Sequence, residues 1–140
     1  MSHQIAHNTV CVHRYFEEVW NQGKLDVLDE LLAGDYVNHS SSIPDPVPGP
    51  AGVKPIVAAM RRAFPDLRYR IDQLVASDDA VAVRVTLSGT HRGDFFGIPP
   101  TGKHFEVTQT NIERFRDGRI VEHWRNTDEL SWLRQLGVVP

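Results

Sequence analysis

The chain of 140 residues has a single cysteine, Cys11, and so no basis for an intrachain disulfide framework. That scarcity fits a reducing compartment, and the expectation is a cytoplasmic protein. Positive charge is also in short supply: 15 Lys and Arg stand against 18 Asp and Glu, a formal net charge of −3. Without a basic run, nucleic acid and anionic membrane are not expected as principal partners. Long apolar runs are missing too. The longest, Ile56 to Met60, falls far short of the roughly 20 residues of a transmembrane helix. The first thirty residues carry no signal-peptide core, so secretion is not expected. No phosphate-cradling glycine loop or Gly-x-Ser-x-Gly elbow occurs, and Cys11 has no evident partner. Nucleotide binding and nucleophilic serine or cysteine catalysis are therefore not expected.

What is present suits one domain spanning residues 1–140, with 41% hydrophobic residues and enough length for a core and a pocket. The first half has helical period. From Val12, apolar residues fall at Tyr15, Phe16, Val19 and Trp20, and Asn21-Gln22-Gly23 supplies a stop. Leu25, Leu28, Leu31 and Leu32 make a shorter stripe, and Tyr36 to His39 suits a short strand. Residues Ser40 to Pro50 hold four of the nine prolines and predict a loop, placed as a flap. Val53, Ile56, Val57, Met60 and Phe64 predict a third helix.

After Phe64-Pro65-Asp66 the period changes to 2. Leu67, Tyr69 and Ile71 alternate, with a bulge expected at Leu74-Val75. Val81, Val83, Val85 and Leu87 alternate cleanly after the Ser77-Asp78-Asp79 turn. A Gly/Pro-rich stretch from Gly89 to Gly102 precedes strands from His104 to Phe115 and from Ile120 to Asn126. A short helix, Glu129 to Leu136, ends at Gly137. Helices first and a strand meander afterwards predict an α+β fold: a cone-shaped barrel whose strongly curved antiparallel sheet wraps around the N-terminal helices. Such a cone encloses a cavity.

Seven histidines invite a metal reading, but only His3 and His7 have ligand spacing, and no acidic third ligand lies near them. No metal site is expected. The last strand holds more. If Val121 to Thr127 is extended, Trp124, Asn126 and Asp128 share one face and His123, Arg125 and Thr127 the other. With the first face inward, Asp128 is a carboxylate in an apolar cavity, suited to general acid/base work. The same residue precedes a helix and suits an N-cap. Both roles stay open. On the neighbouring strand Phe105, Val107, Gln109 and Asn111 share a face, where the two amides are either satisfied core groups or ligand contacts. His91, where a strand meets the Gly/Pro loop, suits hydrogen bonding to a developing oxyanion or bracing of the loop. His39, at the mouth of the proline loop, carries the same two readings.

Asp35-Tyr36-Val37-Asn38-His39, Phe64-Pro65-Asp66-Leu67, Gly89-Thr90-His91-Arg92-Gly93, Gly97-Ile98-Pro99-Pro100-Thr101-Gly102 and Asp117-Gly118-Arg119-Ile120-Val121-Glu122-His123-Trp124 run in order along the chain. Together with Asp128 and Arg134-Gln135-Leu136-Gly137, they resemble the SnoaL-like polyketide cyclase (ester cyclase) family, whose cone is shared with ketosteroid isomerase and scytalone dehydratase. The resemblance implies a homodimer and an intramolecular aldol ring closure without a cofactor, on a small hydrophobic carbonyl-containing ligand. It implies Asp128 as the acid/base. Beside it, His91 is the candidate catalytic partner, and Asn38, His39, Phe64, Gln109, Asn111, Trp124 and Asn126 are the candidate substrate contacts. One departure stands out: the histidine that the anthracycline cyclases carry on the penultimate strand falls at Asn111. Other readings on the same fold are a hydrophobic-ligand-binding module without catalysis and a hydrolase or dehydratase.

Overall fold

The computed structural model describes residues 2–140. Its first helix, α1 (Ser2–Arg14), begins well before the apolar stripe that announces it. The early turns are held by polar contacts instead. Asn8 Nδ2 donates to the Asp78 carbonyl at 3.1 Å, and His7 Nε2 lies 2.8 Å from the Gly118 carbonyl oxygen. That contact occupies one member of the His3/His7 pair. From Tyr15 to Asn21 the helix widens to π-helical pitch, and Tyr15, Phe16, Val19 and Trp20 are all buried. Its end is plugged by Arg61, whose Nη1 donates to the carbonyls of Trp20 (2.7 Å) and Asn21 (2.9 Å). These are carbonyls that a helix end leaves without intrahelical partners.

A short helix, α2 (Val27–Leu31), runs straight into β1 (Leu32–Asn38), so the stripe expected to end at Leu32 ends one residue sooner. The proline loop leads to α3 (Pro50–Ala63), with Pro50 at its start, a position where a missing N–H costs nothing. The meander follows as β2 (Arg68–Ala76), β3 (Ala80–Thr90), β4 (His104–Arg116) and β5 (Arg119–Thr127), and α4 (Glu129–Gln135) closes it. The sheet order is β1-β5-β4-β3-β2. Four strands are antiparallel neighbours, but β1 pairs parallel with β5, which corrects the wholly antiparallel sheet expected. The β2 irregularity falls between Ile71 and Gln73, not at Leu74-Val75.

The mixed α+β architecture, a curved five-stranded sheet around the N-terminal helices, is as the sequence reading expects. Asn21 ties the helical layer to the sheet edge. Its Oδ1 accepts from Tyr69 N (2.6 Å) and its Nδ2 donates to Tyr69 O (2.9 Å), as a strand neighbour would. At the other end of the core, Phe64, Phe95, Phe105 and Trp132 form an aromatic cluster with centroids 4.6–5.9 Å apart, a geometry worth about 0.5–1.5 kcal/mol per pair beyond area burial.

Several motifs of the sequence are explained here as structure. Asp66 accepts from Thr90 N (2.7 Å) and Thr90 Oγ1 (2.8 Å), joining the end of α3 to β3. A Cβ at Gly93 would stand 2.4 Å from the Arg62 carbonyl oxygen, so only glycine lets the loop lie against α3.

Candidate active site

A cavity of about 270 Å³ opens between the sheet, α3 and α4, lined on its apolar side by Trp20, Ile56, Met60, Tyr69, Phe95, Phe96, Trp132 and Leu133. Its polar lining is Ser42, Gln109, Arg125, Thr127 and Glu129. Cross-strand register sets which side chains reach it, because partners across a ladder share a face. Gln109 pairs with Thr127, Asn111 with Arg125, and Glu113 with His123. Gln109, Asn111, Glu113 and His123 are buried. Three polar rows thus cross the inner face, stepping from the cavity toward the closed end.

In the first row Gln109 Nε2 donates to Thr127 Oγ1 at 2.9 Å, and Asn111 Nδ2 donates to Gln109 Oε1 at 3.0 Å. In the second, Arg125 joins the cavity to the proline loop. Its backbone N donates to Ser40 Oγ (2.8 Å), and its Nη2 donates to Ser40 O (2.6 Å) and, at 3.5 Å, to Ser42 Oγ. The loop therefore lies against β5 and contributes Ser42 to the cavity wall. In the third row, His123 Nδ1 shares a proton with Glu113, whose Oε2 is 2.9 Å away. Burial pushes the Glu113 carboxyl above its ordinary value, with His123 and Arg125 opposing. His123 Nε2 is buried with no partner among the described residues. Burial also holds the hydroxyls of Tyr15, Tyr36 and Tyr69 far above the usual phenol range, so these groups stay protonated and act only through hydrogen bonds.

This arrangement reverses one sequence expectation. His123, Arg125 and Thr127 turn inward, while Trp124 and Asn126 take the outer face opposite Ile112 and Thr110. Trp124 stacks on His39 there, with centroids 4.7 Å apart, and His39 Nε2 meets Glu122 at 3.0 Å. Neither His39, Trp124 nor Asn126 lines the cavity. Asn38 Oδ1 accepts from Ser40 N at 2.9 Å, a local turn bond. Phe64 is fully buried in the aromatic cluster rather than on the cavity wall.

Asp128 is exposed and caps α4, accepting from Ser131 N at 3.3 Å. Its neighbours Thr127 and Glu129 line the cavity, but it does not. Of the two roles open to it, the structure displays the cap, and the carboxylate in an apolar cavity is not found at this position. His91 is fully buried against Phe64 and Phe95. Its Nδ1 accepts from Thr101 N at 3.2 Å, which bridges the Gly/Pro loop, and its Nε2 has no partner among the described residues. Gln109 alone of the expected contacts lines the cavity, with Asn111 directly behind it. The residues sequence reasoning missed are Arg125, Glu113 and His123. Their signal lay in β4, where the correctly read inward set Phe105, Val107, Gln109 and Asn111 continues to Glu113 and dictates the parity of its partner strand.

Among the described residues no group of three His, Cys, Asp or Glu side chains is placed to hold a metal ion. No helix among them is long and apolar enough to cross a membrane.

A curved sheet closing over helices, with a small aromatic-walled cavity carrying a polar strip, defines a domain built to enclose a compact organic molecule. The chain belongs to the SnoaL-like polyketide cyclase family, whose model matches residues 10–136. It is 30% identical over 127 residues to the aklanonic acid methyl ester cyclase DauD of Streptomyces sp. (strain C5), covering 89% of this chain and 78% of that protein. It is 30% identical over 120 residues to the nogalonic acid methyl ester cyclase of Streptomyces nogalater, covering 84% and 89%. Among solved structures, TsrD from Streptomyces laurentii superposes with a TM-score of 0.87 at 28% identity, covering 96% of this chain and 97% of that one. IdmH from Streptomyces antibioticus does so with 0.79 at 36% identity, covering 93% and 98%.

Proposed function

We propose that the protein closes a ring on a small, hydrophobic, polyketide-like carbonyl compound by an intramolecular aldol reaction that uses only its own side chains. The observation that carries this reading is the polar strip of Gln109, Arg125 and Thr127 set into the aromatic lining of the cavity. Membership of a cyclase family and relatives named as methyl ester cyclases support it.

In this reading the aromatic walls fold the substrate so that its two reacting carbons meet, converting an encounter into a positioned attack. Gln109 offers an N–H to the carbonyl oxygen that becomes an enolate. The proton leaves the carbon beside that carbonyl for His123 Nε2, with Glu113 holding the ring from the other nitrogen. The enolate carbon bonds to the second carbonyl carbon, and the new alkoxide takes the proton back. What supports His123 as the base is that its buried Nε2 has no partner among the described residues; it stands one inward position beyond Arg125, behind the cavity wall, so the reacting carbon of the substrate has to pass Arg125 to meet it. Asp128 stays the cap of α4 in this scheme.

The test is turnover of an aryl diketone whose carbonyls are spaced to close a six-membered ring, followed by chromatographic appearance of the cyclic β-hydroxy ketone. Replacing His123 by Asn should lower the rate by about 100-fold or more, the usual worth of a general base, while Asp128→Asn leaves it within about twofold. The opposite pattern returns the base to Asp128. Binding of the diketone without turnover by the native protein would favour a ligand-holding module instead.

A further inference from the structure

Arg125 is the one cation on the cavity wall, half-buried, and no carboxylate among the described residues reaches ion-pair distance of its guanidinium. Only Nη2 of Arg125 is engaged, by the Ser40 carbonyl and the Ser42 hydroxyl. Among the described residues the N–H groups on Nε and Nη1 have no acceptor, and a guanidinium stays charged at any ordinary pH. The acidic groups nearby do not neutralise it. Glu113 is bonded to His123 and makes no ion pair with the guanidinium. Glu129 is exposed at the mouth. The three buried tyrosines stay protonated.

We infer that the substrate enters as an anion: a single carboxylate, on an otherwise hydrophobic carbonyl compound, pairs with Arg125 inside the cavity. A charged hydrogen bond in this setting is roughly twice as strong as a neutral one, and an ester at the same place would leave the guanidinium without a counter-charge. One arginine matches one negative charge, whereas a phosphate dianion would call for a second cation, and no other Lys or Arg among the described residues lines the wall. The carboxylate anchors the molecule at the middle polar row. The product therefore keeps a free acid, and the preceding reaction must release or leave one rather than cap it as an ester. This inference rests on the ring-closing reading above.

Trp20 and Trp132 line the cavity, so their fluorescence reports occupancy. The experiment titrates the native protein with anthraquinone-2-carboxylate and with its methyl ester. The acid should bind about tenfold more tightly or better, and raising the ionic strength should weaken the acid while leaving the ester unchanged. Arg125→Met should erase the preference to within about twofold without weakening the ester, and Arg125→Lys should keep part of it. Because Arg125 also tethers the Ser40–Ser42 segment, a misfolded Met variant leaves the native acid-to-ester ratio and the Lys variant to decide. Equal binding of acid and ester, or a preference that survives in Arg125→Met, overturns the carboxylate assignment and leaves ring closure standing. Failure of an aryl diketone that carries a carboxylate to cyclise, with the acid preference intact, overturns ring closure and leaves the anion site standing.

Discussion

Asn111 and Arg125 face each other across β4 and β5, and that pairing decides what the cavity can do. Asn111 is bonded back to Gln109, so it stiffens the wall. Arg125 reaches past it to the proline loop and brings a charge to the wall. At this row the chain has an amide beside a guanidinium, and the titratable pair lies one row deeper at Glu113 and His123.

Asp128 tests the assignment of the cap. Its carboxylate bonds Ser131 N and lies in solvent. Asn caps a helix as well as Asp, so Asp128→Asn should change stability by less than about 0.5 kcal/mol, whereas Asp128→Ala should cost about 1 kcal/mol. Urea unfolding of both variants checks this, and equal large losses would mean the carboxylate does more than cap.

Asp66 should make part of the stability depend on acid pH. Burial pushes its carboxyl up, but the bonds from Thr90 N and Thr90 Oγ1 outweigh that and hold it below 3.8. A carboxyl lowered in the folded state contributes stability that is present above the unfolded value and lost as pH falls through the folded one. The native protein should therefore lose stability relative to Asp66→Asn as pH drops from about 5 toward 2. At neutral pH the substitution should cost about 1 kcal/mol, the worth of a screened, exposed hydrogen-bonded link. Unfolding midpoints across that pH range provide the measurement.

Gly52 sets two effects against each other. Ala in a helix is worth about 1 kcal/mol over Gly, but a Cβ here would stand 1.9 Å from the Val47 carbonyl oxygen. That oxygen is backbone and cannot rotate away. Gly52→Ala should destabilise by about 1–3 kcal/mol net, as overpacking does, and loosen the proline loop that Arg125 holds. A gain in melting temperature would show that the loop yields freely.

Much of this molecule was legible in its residues. The strands follow from period-2 alternation, and α3 from the Val53 to Phe64 stripe. The inward face of β4 follows from Phe105, Val107, Gln109 and Asn111. The face of β5 was not, because Ile120 and Val121 are both buried and the register slips between Arg114 and Phe115. Two adjacent buried residues remove the parity signal from the strand's own sequence. Only the partner strand carries it. The parallel pairing of β1 was hidden for a related reason: Val37 and Asn38 meet Glu122 and His123 more than eighty residues away, and no local pattern encodes such a contact. The early turns of α1 rest on Asn8 and His7 meeting distant carbonyls, which periodicity cannot register.

Glu113 provides the sharpest electrostatic test, with the opposite sign to Asp66. Burial is the leading influence on its carboxyl and raises it above 4.5, against the pull of His123. A carboxyl raised in the folded state contributes stability that is fully present below the unfolded value and lost as pH climbs through the folded one. Glu113→Gln keeps the shape and a hydrogen bond to His123 but cannot ionise. The stability advantage of the native protein over this variant should therefore be largest near pH 4.5 and shrink, or reverse, by about pH 7.5. Unfolding in urea at the two pH values reads the difference directly. An advantage that grows with pH would mean that the core holds Glu113 as a carboxylate, its bond to His123 outweighing the effect of burial.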